Sequence, residues 1–493
     1  MKKALSFLLF ICIAIIIKGQ VADEEKVLDA MHSITSDELF EYVRIQCDDK
    51  YQGRLTGTPE YQACAEWLAG EFKEWGIAPA GDNGTWFQWF NIPYTLVLPE
   101  CGLSLQVAEK NGATIVKNYK YVTEYMPGST SGNGEITGEV IYAGYGITAP
   151  ELGYDDYAGI DVRGKIILIE REAPVDPGAG AEKFNPWYNY SFHQYKMANA
   201  VKHGAVGMIY NYGPISNPNN DYSENFIYVH VGDSVVRDIF SGTGFRHNEI
   251  VKEIKSELKP RSFNTKKTVT VRMSTRHVPD GKGSNVIGII KGTDPQLNKE
   301  TIIISAHLDH LGKCFDIIAG ANDNASAVAV MMGVAKALTQ SKILLKRSVM
   351  FIAFGSEEQA LIGSKTYLDN PVMPLEKSVL LNMDGVGIGH TIGANAGRDF
   401  PLLWSFIEEA NRSYIHRRLI TNSFPNLGRP RLDAARFLSA GVPSISFYTF
   451  GSLNYYHVPM DNPDIIKPEI MEDLSQLLFM AVVKMANSPD PLR

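Results

Sequence analysis

From Ser284 onward the chain alternates short, unbroken apolar runs with longer stretches of helical periodicity. The apolar runs occupy residues 285–290, 301–306, 348–354, 378–383 and 443–450. They lack the in–out alternation of a half-exposed strand, so they read as strands buried on both faces. Between and after them, residues 327–338, 401–410 and 468–485 read as helices. Val328, Met331, Val334, Ala335 and Leu338 share one face of the first, and Pro468 opens the last. Strand and helix in alternation predict an α/β fold: a mixed, mostly parallel sheet flanked by helices.

At 493 residues the chain is too long for one core. Residues 34–80 read as helical, with a cap at Ser36 and a repeat of Tyr61, Ala65, Leu68, Ala69 and Phe72 that Gly76 stops. Residues 53–59 between them form a turn-rich loop. Residues 100–275 have another texture. Strands are predicted at 139–143, 165–170 and 205–210 and a helix at 195–203, with glycines and an Asn/Pro-rich stretch at 211–222 between elements. A β-rich unit of this kind interrupts helical material too small to fold alone, so it reads as an insertion. The expected division is 1–20, a signal peptide; 21–100, the first part of the main domain; 101–275, the insertion; and 276–493, the rest of the main domain.

Residues 1–20 begin with Lys2 and Lys3, continue as an apolar run over 4–17 and end at Gly19-Gln20. This is the pattern of a secretory signal, and the run is shorter than the ~20 residues that span a bilayer. It predicts a secreted or periplasmic protein with no membrane attachment after its removal. Lys and Arg number 47 against 55 Asp and Glu, a formal charge of −8, which makes nucleic acid a poor partner. Cys47, Cys64, Cys101 and Cys314 form no CxxC pair, and both disulfides and buried free thiols stay open.

The chemistry sits at the strand ends. His307 and Asp309 follow one strand, Glu357 and Glu358 the next, Asp384 a third, and Tyr456 and His457 lie beyond the last. Asp323 opens the helix after the first. In open α/β sheets, sites form outside the carboxyl ends of the strands, so these residues should face one crevice. Taken singly, each has a plainer role: Asp323 as a helix cap, the Glu pair as a solvated turn, Asp384-Gly385 as another turn. Together, two imidazoles and three carboxylates form a mixed N/O set suited to zinc. The set exceeds what one catalytic ion needs, so a bridging carboxylate and two ions are expected. His310 reads as lining the crevice or bonding groups behind the ligands, and His390 as structural. No HExxH helix motif occurs.

The segments Ser305-Ala306-His307-Leu308-Asp309-His310, Gly320-Ala321-Asn322-Asp323-Asn324-Ala325-Ser326, Gly355-Ser356-Glu357-Glu358, Asn382-Met383-Asp384 and Tyr456-His457 with Asp461 resemble, in order and spacing, the co-catalytic dizinc aminopeptidase family. The resemblance covers residues 34–80 and 284–485. The segment from Asp155 to Lys165 is similar to the protease-associated domain that some members carry as an insertion. The resemblance implies a zinc-exopeptidase-like fold and two zinc ions. His307 and Asp384 would hold one ion, Glu358 and His457 the other, and Asp323 would bridge them. Glu357 would be the general base acting on the metal-bridged water. Asp309 would orient His307 through its far ring nitrogen, and Tyr456 would donate to the oxyanion. The chain departs from the family at Leu432-Asp433-Ala434, where Ser-Asp-His is frequent, and at Ala327 and Ala360, where Gly is common.

The expected activity is that of a secreted zinc exopeptidase acting on peptides, an aminopeptidase because an acid-lined site favours a cationic terminus. Arg429, Arg431 and Arg436 keep a carboxypeptidase in view, although a solvated loop and helix face is their plainer reading. The same fold could also serve a glutaminyl cyclase-like enzyme with one zinc, or a non-catalytic binding relative.

Overall fold

The computed structural model describes residues 24–108, 114–219, 221–424 and 431–493. The predicted signal peptide at 1–20 and Arg429 lie outside the described residues. Among the described residues no helix is long and apolar enough to cross a membrane.

The main domain is built on a nine-stranded sheet. Its strands are β1 (Ala78–Pro79), β2 (Phe87–Asn91), β3 (Lys282–Ile290), β4 (Thr301–His307), β5 (Ser348–Phe354), β6 (Ser378–Met383), β7 (Thr391–Asn395), β8 (Leu419–Asn422) and β9 (Ser444–Phe450). They lie in the order β1-β3-β5-β4-β6-β9-β7-β8, with β2 also on β3. The centre, β5-β4-β6-β9, is parallel, and antiparallel pairs join β3 and β7 to it. The helices are α1 (Ser36–Gln46), α2 (Pro59–Glu74), α3 (Ser326–Gln340), α4 (Ile362–Asp369), α5 (Pro401–Ala410), α6 (Asp433–Ser439) and α7 (Pro468–Asn487).

Every residue of β4, β5 and β6 is buried, as unbroken apolar strands require. Successive side chains point to opposite faces. Ile302 and Ile304 join Val328, Met331, Leu474 and Leu478 on the side covered by α3 and α7. Ile303 joins Met350, Leu380, Tyr367 and Phe437 on the side covered by α4 and α6. Full burial of such a side chain contributes roughly 1.5–3 kcal/mol. The cap of α1 falls one residue earlier than the sequence suggests. Thr35, in extended backbone, accepts the Glu38 amide, while the Ser36 amide donates to the Glu472 carboxylate at 2.8 Å.

A second sheet of eight strands extends from Gly102 to Met273 between β2 and β3. Its centre, Gly134–Tyr142, Ile166–Glu170, Gly207–Asn211 and Ile227–Val231, is parallel. It encloses its own apolar clusters around Val140, Leu168 and Val229 on one face and Ile141, Ile167 and Met208 on the other. The chain enters and leaves it through an antiparallel ribbon, Tyr94–Val97 against Thr275–Val278. Cys47, Cys64, Cys101 and Cys314 are free thiols.

Candidate metal centre

The parallel register sets the strand ends level: His307 pairs with Phe354, Ser305 with Asn382, and Asn382 with Ser446. His307 ends β4, and Asp384 directly follows β6. The Gly355-Ser356 turn carries Glu357 and Glu358 away from β5, and the loop after β9 brings back His457. Asp323 stands in the turn Ala321–Ala325 that leads into α3. All five predicted ligands meet at this edge of the sheet.

The two oxygens of Asp323 face different histidines. His307 Nε2 lies 3.2 Å from Asp323 Oδ1 and 3.8 Å from Asp384 Oδ1. His457 Nε2 lies 3.5 Å from Asp323 Oδ2 and 3.1 Å from Glu358 Oε2. His307, Asp323 and Asp384 offer ligand atoms within 4.8 Å of one another, as do His310, Asp323 and Glu358. His310 is fully buried, and its Nδ1 is 2.8 Å from Glu358 Oε1. His310 thus falls in the second candidate group, where His457 Nε2 also approaches Glu358.

Each histidine is turned by a main-chain carbonyl. His307 Nδ1 meets the Asp309 carbonyl at 3.1 Å, and His457 Nδ1 meets the Ser216 carbonyl at 2.9 Å. A ring nitrogen donating to a carbonyl leaves Nε2 unprotonated in the neutral ring, which is the form that binds a metal. The contact expected of Asp309 is thus made by its backbone. Its carboxylate lies farther from His307 Nδ1, at 3.7 Å, and accepts the amides of Glu357 and Glu358 at 3.1 and 3.3 Å. Asp461 does the same for the Asp323 turn, accepting the amides of Asn322 and Asp323 at 2.8 and 3.0 Å.

Electrostatics bind these groups into one unit. Burial works against charge on the two imidazoles, yet the surrounding carboxylates hold His307 well above its usual pKa and His457 at about 10. Burial likewise opposes ionisation of Glu358, but His457 and the His310 bond bring it down to about 2. Burial, reinforced by Glu358, Asp433 and Asp384 against the pull of His307, drives Glu357 well above the usual carboxyl range. Among the described residues no lysine or arginine forms an ion pair with these carboxylates; their partners are histidines. The buried His307 Nε2 has no partner in hydrogen-bond geometry. Carboxylates with no lysine or arginine beside them and a buried imidazole nitrogen without a hydrogen-bond partner fit divalent metal, and the N/O composition fits zinc.

The crevice in front of the candidate ligands is walled by helices and loops of both the main domain and the inserted unit. Glu357, Glu358, Tyr456 and His457 face Tyr188, His193 and Tyr212 of the inserted unit across a space of about 350 Å³. Tyr456 is 49% exposed and stacks on the His457 ring at 3.6 Å. Arg431, which is exposed as a solvated loop residue would be, and half-buried Arg436 line the same space. Arg431 pairs with Glu172 of the insertion at 2.7 Å, and Arg436 donates to the Ala360 carbonyl at 2.8 Å. Asp433, in the segment that departs from the family pattern, is buried, and burial raises its pKa to about 6.

Two contributors have no signal in the sequence. Arg54 reads as part of a turn-rich loop, yet it is fully buried. It donates to the carbonyls of Leu308 at 2.8 Å, Gln46 at 2.7 Å, Ala319 at 2.8 Å and Gly320 at 3.0 Å, tying together the segments that carry His307 and Asp323. Ser216 acts through its main chain, which any residue type would offer.

Residues 285–482 match the model of peptidase family M28, and residues 136–236 match the model of the PA domain. Among curated proteins, Aminopeptidase YwaD of Bacillus subtilis (strain 168) is 27% identical over 225 residues, covering 42% of this chain and 47% of the relative. Leupeptin-inactivating enzyme 1 of Streptomyces exfoliatus is 30% identical over 176 residues, 35% of this chain and 37% of the relative. The chain thus spans less than half the length of these curated relatives. Among solved structures, an aminopeptidase from Aneurinibacillus sp. strain AM-1 superposes with a TM-score of 0.65 at 21% identity, over 94% of this chain and 96% of that one. At that identity the likeness is one of fold.

Proposed function

We propose that the chain, which belongs to peptidase family M28 and carries an inserted PA domain, is a secreted aminopeptidase that holds two zinc ions. The observation that carries this reading is the placement of Asp323, whose Oδ1 and Oδ2 stand 3.2 and 3.5 Å from different histidine nitrogens. A carboxylate so placed would serve two ions at once. His307 and Asp384 would complete one ligand set, and Glu358 and His457 the other. Bound zinc supplies Lewis acidity at the scissile carbonyl and makes water a stronger acid.

The chain's own groups do the rest. Glu357 lines the crevice beside the ligands without belonging to either set. It takes the proton of the attacking water and passes it to the leaving amine. Asp309 holds the Glu357 and Glu358 amides, which fixes base and ligand relative to each other. Tyr456, beside His457, donates its hydroxyl to the developing oxyanion. The carboxylate-rich crevice attracts the substrate's free ammonium group. Arg431 is already paired with Glu172, which disfavours its use as a clamp for a peptide carboxylate. The basic and apolar start of the chain, residues 1–20, supports export.

The test is a panel of free and N-blocked peptides, assayed before and after chelation, with zinc counted by elemental analysis. Free peptides should be cleaved from the amino end, and activity should fall with zinc removal and return on its addition. Glu357→Gln should keep two zinc ions and the melting temperature while kcat falls by roughly 10²–10⁴. Cleavage of N-blocked peptides alone would overturn the aminopeptidase reading. One zinc per chain would favour a cyclase-like enzyme, and full activity in Glu357→Gln would remove it as the base.

A further inference from the structure

The two histidines of the centre are aimed by the same device, but from different parts of the molecule. His307 is turned by the carbonyl of Asp309, two residues along its own chain. His457 is turned by the carbonyl of Ser216, which belongs to the inserted domain and is 241 positions away. The contact is reciprocal: the Ser216 amide donates to the His457 carbonyl at 3.0 Å.

Ser216 is in turn anchored inside the insertion. Its hydroxyl lies 2.8 Å from that of Ser129, which also accepts the Asn217 amide at 3.2 Å. The neighbouring Ile215 carbonyl meets His230 Nδ1 at 2.8 Å. Ser129, Ser216 and His230 are all buried. The segment 215–217 is therefore pinned on both sides before it touches His457.

We propose that the inserted domain is a working part of the metal centre, its Ser216 carbonyl setting the tautomer and ring orientation of His457. Retention of the cation on the His457 side then depends on the seating of the insertion, and retention on the His307 side does not. Ser129 and Ser216 are positioning residues acting through His457. The inference rests on the reading of His457 as a ligand.

The test is zinc binding by the full chain, measured by competition with a chromophoric chelator, for the wild type, Ser129→Ala, Ser216→Ala and the double variant. Removing a partner that orients a metal-bound histidine costs 10–100-fold in affinity, and a weakened support sits near the lower bound. Ser129→Ala should therefore loosen one zinc equivalent by about tenfold and leave the other unchanged, with Ser129→Thr restoring it. Ser216→Ala should loosen the same equivalent without adding to Ser129→Ala, because the one hydroxyl contact it removes is already lost in Ser129→Ala. It also keeps the inference testable should Ser129→Ala misfold. Two equivalents that stay tight in the variants, or that weaken together, would overturn the inference alone. A wild-type chain that takes up no zinc would overturn it together with the proposed function.

Discussion

Replacing Arg54 tests whether a single guanidinium braces the metal centre from behind. In Arg54→Met the side chain keeps much of its length, but the buried carbonyls of Gln46 and Leu308 lose their donor, while Ala319 keeps only the Cys47 thiol and Gly320 keeps the Ala325 amide. Leaving a buried acceptor unsatisfied costs about 1–3 kcal/mol, so these two cost about 2–6 kcal/mol. No longer having to bury a charge returns part of this. The expected loss is about 2–4 kcal/mol, or a melting temperature lower by roughly 4–8 °C at about 2 °C per kcal/mol in a domain of this size. Arg54→Lys is the sharper probe. An ammonium is a compact point donor and cannot span the four carbonyls as the planar fork does, so it leaves acceptors unpaired and keeps the buried charge. It should destabilise by at least ~2 kcal/mol. Both variants should also lose zinc faster under chelation, because Leu308 follows His307 and Gly320 leads into the Asp323 turn. Thermal melting and zinc release are the assays. An Arg54→Lys protein that melts within 1 °C of the wild type and holds zinc equally well would refute the brace.

Asp461→Ala should weaken both zinc equivalents together, since it frees the amides that hold Asp323, the group shared by both ligand sets. This contrasts with the one-sided effect of Ser129→Ala, and a one-sided loss in Asp461→Ala would show that Asp323 is not shared. In the insertion, His247 Nε2 lies 2.6 Å from Glu170 Oε1. Burial lowers the pKa of His247, but the hydrogen bond and charge of Glu170 outweigh it and raise the net value. The folded state thus binds this proton more tightly than the unfolded chain. The resulting stability is complete below the unfolded value of about 6.5 and is lost as pH rises through the higher folded value. Melting the wild type and His247→Gln from pH 5.5 to 8.5 should show a decline in the first that the second lacks, and parallel profiles would refute the assignment.

What can be read from the chain alone follows from which chemical groups carry the information. Strands β5 and β6 are legible to the residue because burial on both faces leaves a run such as Ser348–Phe354 with no polar interruption. The candidate ligands are legible because His307 ends such a run, Asp384 directly follows one and Glu358 lies a short turn beyond another, and an open parallel sheet delivers strand ends to one edge. The antiparallel flanks at β3 and β7 are not legible, since strand order is set by pairings across the fold and not by any local pattern. Arg54 escapes notice because its partners are carbonyls scattered from Gln46 to Gly320, and a carbonyl has no residue type. The same holds for Asp309, whose side chain suggests a contact with His307 that its backbone makes, and for Ser216, lodged in an Asn/Pro-rich stretch that reads as a connection. Side chains announce which groups can bind a metal. The aim of those groups is set largely by main-chain oxygens and amides, and these become visible only when segments distant in the chain are brought together. A substitution that spares every ligand can therefore still disable such a centre, and Arg54, Asp461 and Ser129 are where this chain would reveal it.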